Sequence, residues 1–149
     1  MRTLAIDFGT RRIGVALSDQ GGRFATPYDV LAVTSEDALR FTIDRIVERE
    51  GVQQIVVGLP LNMDGTIGPA ARQTIAWAKD LSTHAQLPVV FVDERLSSFE
   101  AEQSLVQRKR GGERITRQQK KERLDAIAAA SFLQAFLDGR LQAIDPNSI

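Results

Sequence analysis

Asp7, Glu94 and Asp125 are the three residues of this 149-residue chain whose types and positions best suit chemistry. Asp7 ends the apolar run Thr3-Leu4-Ala5-Ile6 and is followed by a glycine-bearing turn, Phe8-Gly9-Thr10. Glu94 comes directly after the apolar run Val89-Val90-Phe91-Val92 and Asp93, and Asp125 lies in the alanine-rich stretch Leu124-Asp125-Ala126-Ile127-Ala128-Ala129-Ala130. An acid at a strand end, beside a turn with little side-chain cover, can present its charge to solvent, a metal or a phosphate. Taken alone, Asp-x-Gly is more often an Asx turn, and an aspartate four residues after Lys121 is more often one half of a helical ion pair. Three together read differently. Clustered carboxylates repel and raise one another's pKa unless a cation sits between them. Such a cluster suits Mg²⁺ or Mn²⁺, hard ions that accept a few carboxylates and keep open water positions. Two such ions about 4 Å apart can activate a water and stabilise the leaving oxygen in phosphodiester cleavage.

The elements that must position these acids alternate in a readable order. Strands are expected at Thr3–Phe8 and Ile13–Ser18, joined by a short turn that implies an antiparallel pair. A third spans Phe24–Val33, with Pro27 marking it as interrupted or at an edge. Thr34-Ser35-Glu36-Asp37 offers helix caps, and Leu39, Ile43, Ile46 and Val47 follow at helical spacing up to Gly51. Gln54–Leu59 reads as a strand buried on both faces. The loop Pro60–Gly65 leads to a helix that opens at Pro69 and runs to about His84, with Ile75, Ala78 and Leu81 inward. Pro88–Val92 is the next buried strand. Ser97-Ser98-Phe99-Glu100 opens a helix to about Gln107, and Thr116-x-x-Gln119 opens the last, which Gly139 closes after Asp138. This βββ-α-β-α-β-α-α order implies an α/β protein, a mixed sheet with helices on its faces, in which functional groups collect at strand ends.

Length and composition bound the answer. With 43% hydrophobic and 26% charged residues, the chain suits one α/β domain over 1–149. It has no cysteine, which removes disulfides and thiolate metal sites and agrees with a reducing compartment. No apolar run approaches the roughly 20 residues of a membrane span, and the first residues lead straight into a strand with no secretory pattern; a cytoplasmic location without membrane association is expected. Net charge is zero, which argues against coating nucleic acid through bulk charge. Its distribution is uneven: Arg108 to Arg123 holds eight basic residues against two acidic ones, a local excess of six.

Four segments together carry a resemblance. Asp7-Phe8-Gly9-Thr10-Arg11-Arg12-Ile13-Gly14-Val15-Ala16 resembles the opening motif of the YqgF family, small ribonuclease H-like proteins related to Holliday-junction resolvases. Val57-Gly58-Leu59-Pro60-Leu61-Asn62-Met63-Asp64-Gly65 is similar to its second motif, Asp93-Glu94-Arg95-Leu96-Ser97-Ser98 to its third and Asp125-Ala126-Ile127-Ala128-Ala129 to its last. Four motifs in order over nearly the whole chain are more specific than any one of them. The resemblance implies a ribonuclease H-like mixed five-stranded sheet flanked by helices. It also implies Asp7, Glu94 and Asp125 as an acidic triad for Mg²⁺ or Mn²⁺, and a nuclease for the 16S rRNA precursor or, alternatively, for four-way junctions. Two positions depart from the pattern: the wider superfamily often has an acid where this chain has Gly58-Leu59-Pro60, so the second carboxylate must be Glu94. Ser98 stands in place of a threonine.

Around the acids, Gly58, Asn62, Asp64 and Gly65 can offer donors to a phosphate or can be plain turn chemistry. Arg95 can hold a phosphate or pair with Asp93; Arg11 and Arg12 can steer a backbone or be solvated turn residues. Arg108, Lys109, Arg110 and Lys121 belong to the basic segment, a candidate arm for nucleic acid with Gly111-Gly112 as its hinge. The expected partner is structured RNA first and branched DNA second, bound by a monomer or a homodimer. Two rival classes stay open. Asp-x-Gly-Thr after a first strand also serves actin-like and sugar-kinase-like ATPases, which need two such lobes. A non-catalytic nucleic-acid-binding module of the same fold has no need of three acids.

Overall fold

The computed structural model describes residues 1–9, 11–95 and 117–145, with the side chains of 117–124 left aside. The expected helix from Ser97 to Gln107, the cap at Thr116 and Ser98 lie outside the described residues. Five strands form one sheet: β1 (Thr3–Phe8), β2 (Arg12–Ser18), β3 (Ala25–Ala32), β4 (Gln54–Leu59) and β5 (Val89–Asp93), in the order β3-β2-β1-β4-β5. The pairs β1–β2 and β2–β3 are antiparallel, while β1–β4 and β4–β5 are parallel. The expected mixed sheet is therefore present, and Asp7 belongs to its central strand. Pro27 lies on the outer strand opposite Ala16, beside a bulge at Val15/Ala16, a place where a missing N–H costs no ladder bond.

Alternation along the strands assigns the two faces of the sheet. Leu4, Ile6, Ile13, Val15, Ile55 and Val57 face one side. There they pack on Leu39, Ile43 and Ile46 of α1 (Glu36–Glu50) and on Ile75, Ala78 and Leu81 of α2 (Pro69–Ala85). α1 starts where the Ser35 hydroxyl accepts the Ala38 N–H at 3.1 Å, and ends at Gly51, whose φ of 64° lets its N–H turn back to the Val47 carbonyl. An Arg40–Asp80 ion pair and an Asp44–His84 hydrogen bond tie α1 to α2 at the surface. Trp77 of α2 lies against Phe8, ring centres 4.8 Å apart.

The opposite face is built from small residues. Ala5, Ala16, Val56 and Val92 lie against Ala129, Ala130, Phe132 and Leu133 of α3 (Arg117–Leu137). Across this face Asp7 has Gly14 of β2 on one side and Gly58 of β4 on the other. With no side chain at Gly14, α3 descends until a Cβ built there would stand 2.0 Å from the Asp125 carbonyl oxygen. Close approach of helix to sheet is what the alanines permit, and it carries Asp125 to the row of Asp7.

Gly14→Ala is expected to push α3 off the sheet and destabilise the protein by about 1–3 kcal/mol or more, the usual penalty for overpacking. Gly21→Ala, in a surface turn where the new methyl meets only an Asp19 oxygen at 3.4 Å, is expected to stay within about 1 kcal/mol of the parent. Denaturant melts of both variants make the comparison.

Candidate active site

Asp7 is the second-last residue of β1 and is half-buried, flanked by strands on both sides. This corrects the expectation of an acid with little cover at a strand tip. Its neighbours explain how a carboxylate fits inside the sheet. A Cβ at Gly58 would lie 2.8 Å from the Glu94 Oε2 atom and 2.8 Å from the Phe132 ring, so Glu94 occupies the space that a side chain at Gly58 would fill. Gly58 is thus a strand residue that makes room for Glu94, not part of a phosphate loop. Gly9, read as clearing space beside Asp7, instead closes the β1–β2 turn: its N–H donates to the Arg12 carbonyl at 3.1 Å, and a Cβ there would sit 2.5 Å from that oxygen.

Glu94 follows β5, its N–H directed at the Leu59 carbonyl (3.4 Å), and its side chain shares a hydrogen bond with Asp7. Burial raises both carboxyls above the ordinary range. Glu94 is pushed up to about 10 by desolvation first, then by its hydrogen bond to Asp7 and by the charges of Asp7, Asp93 and Asp125. The same hydrogen bond acts downward on Asp7 and upward on Glu94.

Asp125, at the sheet-facing border of α3, is close enough for its charge to act on Glu94. Its Oδ2 lies 3.6 Å from Arg12 Nε. Asp7 and Glu94 therefore meet directly, and Asp125 stands beside them with Arg12 at its carboxylate. Among the described residues, no three acidic or imidazole side chains close into a ready three-ligand cluster. The donor set nonetheless fits a hard divalent cation. It is all oxygen, and two hydrogen-bonded carboxyls offer oxygens that a cation can bind.

Arg95 is fully engaged. Its Nε and Nη2 meet both Asp93 oxygens at 2.7–3.1 Å, and its Nη1 donates to the Asn62 and Met63 carbonyls at 2.9 and 3.0 Å. Burial works to raise Asp93, but the Arg95 hydrogen bonds and charge reverse it and hold Asp93 below its ordinary range. Of the two readings of Arg95, the pairing with Asp93 is the one the geometry contains. Asn62 braces its own loop, its Nδ2 donating to Thr66 Oγ1 at 3.0 Å. Arg11 is exposed beside the site, and its carbonyl accepts the Val33 N–H at 2.9 Å. Arg108, Lys109 and Arg110 lie outside the described residues. Lys121 falls in the second turn of α3, its side chain outside them. Sequence reasoning missed Arg12 as the partner of Asp125, since nothing local links residues so far apart in the chain.

The family model described as RuvX, Holliday junction resolvase, matches residues 1–139. Among curated proteins, one from Maridesulfovibrio salexigens is 42% identical over 137 residues, covering 92% of this chain and 98% of that protein. Others from Acidiphilium cryptum (40% identical; 92% and 84% covered) and Geobacillus kaustophilus (39% identical; 94% and 99% covered) are similar. All three are provisionally named pre-16S rRNA nucleases. The solved structure of T. thermophilus RuvC in complex with Holliday junction substrate superposes with a TM-score of 0.59 at 15% identity, covering 97% of this chain and 100% of RuvC. At that identity the likeness speaks for the fold, which is ribonuclease H-like.

The raised Glu94 carboxyl has a consequence for stability. Between the ordinary glutamate value of 4.5 and about 10, the folded metal-free protein holds a proton at Glu94 that the unfolded chain has lost. Stability therefore falls as pH rises through that window, by at most about 1.4 kcal/mol per pH unit before solvent screening reduces it. Melts in chelator from pH 6 to 9 are expected to show this decline, and Glu94→Gln is expected to flatten it.

Proposed function

The chain belongs to the RuvX family, matched over residues 1–139, and from that footing we propose that it is a divalent-metal-dependent nuclease. Its substrate is structured nucleic acid, the 16S rRNA precursor first. The observation that carries this reading is the half-buried Asp7–Glu94 pair, two carboxyls sharing one hydrogen bond, with Asp7 between Gly14 and Gly58. Such a pair adds nothing to a core and suits a cation. The names of the curated relatives support the choice of RNA.

In this reading Asp7 and Glu94 hold Mg²⁺ or Mn²⁺, with Asp125 as the third acid. When bound, a divalent ion supplies Lewis-acid polarisation of the phosphoryl group and lowers the pKa of water for in-line attack. The chain's own part is to orient and to balance charge. The Glu94 proton would pass to solvent when a cation binds here, and the Phe132 ring and α3 backbone would keep the two carboxylates in a partly dry setting where their charges act strongly. Arg12 restrains Asp125 by the 3.6 Å ion pair. The basic residues from Arg108 to Arg123 neutralise the polyanion, so binding falls as salt rises.

A second reading, resolution of four-way DNA junctions, is favoured by the family description itself. It requires a symmetric dimer to cut two strands, whereas a monomer in solution favours RNA. No helix among the described residues is long and apolar enough to cross a membrane, in keeping with a cytoplasmic substrate.

Cleavage of single-stranded RNA, structured precursor RNA and a four-way junction, side by side in Mg²⁺ and in Mn²⁺, tests the proposal. Cutting of precursor RNA, its loss in chelator, and decreases larger than the roughly 10–100-fold typical of outer-shell metal partners in Asp7→Asn, Glu94→Gln and Asp125→Asn are expected. Nucleic-acid binding should persist in these variants. Absence of cutting on every substrate with both metals overturns the enzymatic reading, and tight ATP binding with hydrolysis favours the ATPase rival.

A further inference from the structure

The loop between β4 and α2 is braced far beyond what a surface connection needs. The Asn62 N–H donates to the Thr66 carbonyl at 2.9 Å, and the Gly65 N–H to the Asn62 carbonyl at 2.8 Å. Thr66 donates twice to Asp64 Oδ1, through its N–H at 3.0 Å and its hydroxyl at 2.6 Å. Gly65 makes the reversal at φ 85°, where a side chain would be strained. From outside, the Arg95 fork reaches over from the residue after Glu94 and takes the Asn62 and Met63 carbonyls, while its other edge grips Asp93. The loop is thereby clasped to the backbone that carries Glu94.

At the tip of this rigid loop stands an apolar side chain. Met63 is 98% exposed, more than Phe24, Phe41 or Met1, the other exposed large hydrophobics among the described residues. Its side chain is left to water, so it adds almost nothing to the core of the described residues. A flexible, polarisable side chain on a fixed support is well suited to contact apolar faces of varied shape, and nucleic-acid-binding proteins insert such residues, Met among them, between base steps.

We infer that Met63 is a substrate-reading residue that packs against base faces laid open at a discontinuity in a helical nucleic acid, a bulge, branch or helix end, and that Arg95 is the positioning residue that holds it there. The inference rests on the nuclease reading and narrows its substrate to helices with an interruption beside the cleavage point. Continuous duplex, whose bases stay stacked, offers Met63 nothing to bury against.

The test measures binding in the uncleaving Asp7→Asn background. The ligands are a bulged RNA stem, a four-way DNA junction and a continuous duplex of each kind, with 2-aminopurine at the interruption. The parent is expected to prefer interrupted over continuous helices and to raise the fluorescence on binding. Met63→Ser is expected to lose roughly tenfold of that preference, the order expected for burying one such side chain, together with the fluorescence rise; Met63→Leu keeps both. Arg95→Lys retains the charge without the fork and is expected to behave like Met63→Ser, with little added loss in the double variant. Thermal melts confirm that each variant is folded. Unchanged preference and fluorescence in Met63→Ser overturn the inference while leaving the nuclease reading intact. A parent that binds neither RNA nor DNA overturns both. A response to the RNA alone or the DNA alone supports the inference and identifies which helix is read.

Discussion

Two carboxyl groups sharing a hydrogen bond inside a sheet form the constraint around which this structure is arranged. Taking one ionised acid out of water costs several kcal/mol, and a second beside it costs more. Asp7 and Glu94 meet the problem by hydrogen bonding to each other, and the Glu94 pKa is pushed up to about 10. Room for them comes from Gly14 and Gly58, the two strand neighbours of Asp7, and the ring of Phe132 covers Glu94 at Gly58. The small residues of that sheet face, and the alanines of α3 against it, follow from the same need for close approach.

Charge around the pair is divided between two arginines. Arg12 lies at Asp125 and restrains one flank. Arg95 takes Asp93 on the other, where its second task is to fasten the loop that follows β4. Each arginine pairs with an acid adjacent to the Asp7–Glu94 pair.

Much of this was legible in the residue order because local rules suffice for it. β1, β4 and the start of α2 fall where the apolar runs and Pro69 predict, the cap at Ser35 and the stop at Gly51 are in place, and Pro27 marks an edge strand as expected. What was not legible depends on contacts across the chain. Only the register of β1 against β2 and β4 reveals that Asp7 lies between two glycines. Gly58 looks like the start of a loop until the Glu94 side chain is seen filling its place. The Arg12–Asp125 pair has no local signal, and the ordinary i−4 rule points instead to Lys121. Asp7, Glu94 and Asp125 stand out in the sequence by their element ends and motifs, but the hydrogen bond between the first two depends on how the sheet brings them together.

The central claim is that a divalent cation replaces the Glu94 proton. Titration of Mn²⁺ into the metal-free protein at pH 7.5, by calorimetry in two buffers of different ionisation enthalpy, measures that exchange directly, since loading an ionisable ligand releases its proton. The account predicts release of close to one proton per ion bound by the parent, with both the binding and the release lost in Glu94→Gln. Mn²⁺ binding of equal strength in parent and variant, or binding with no proton released, would contradict it.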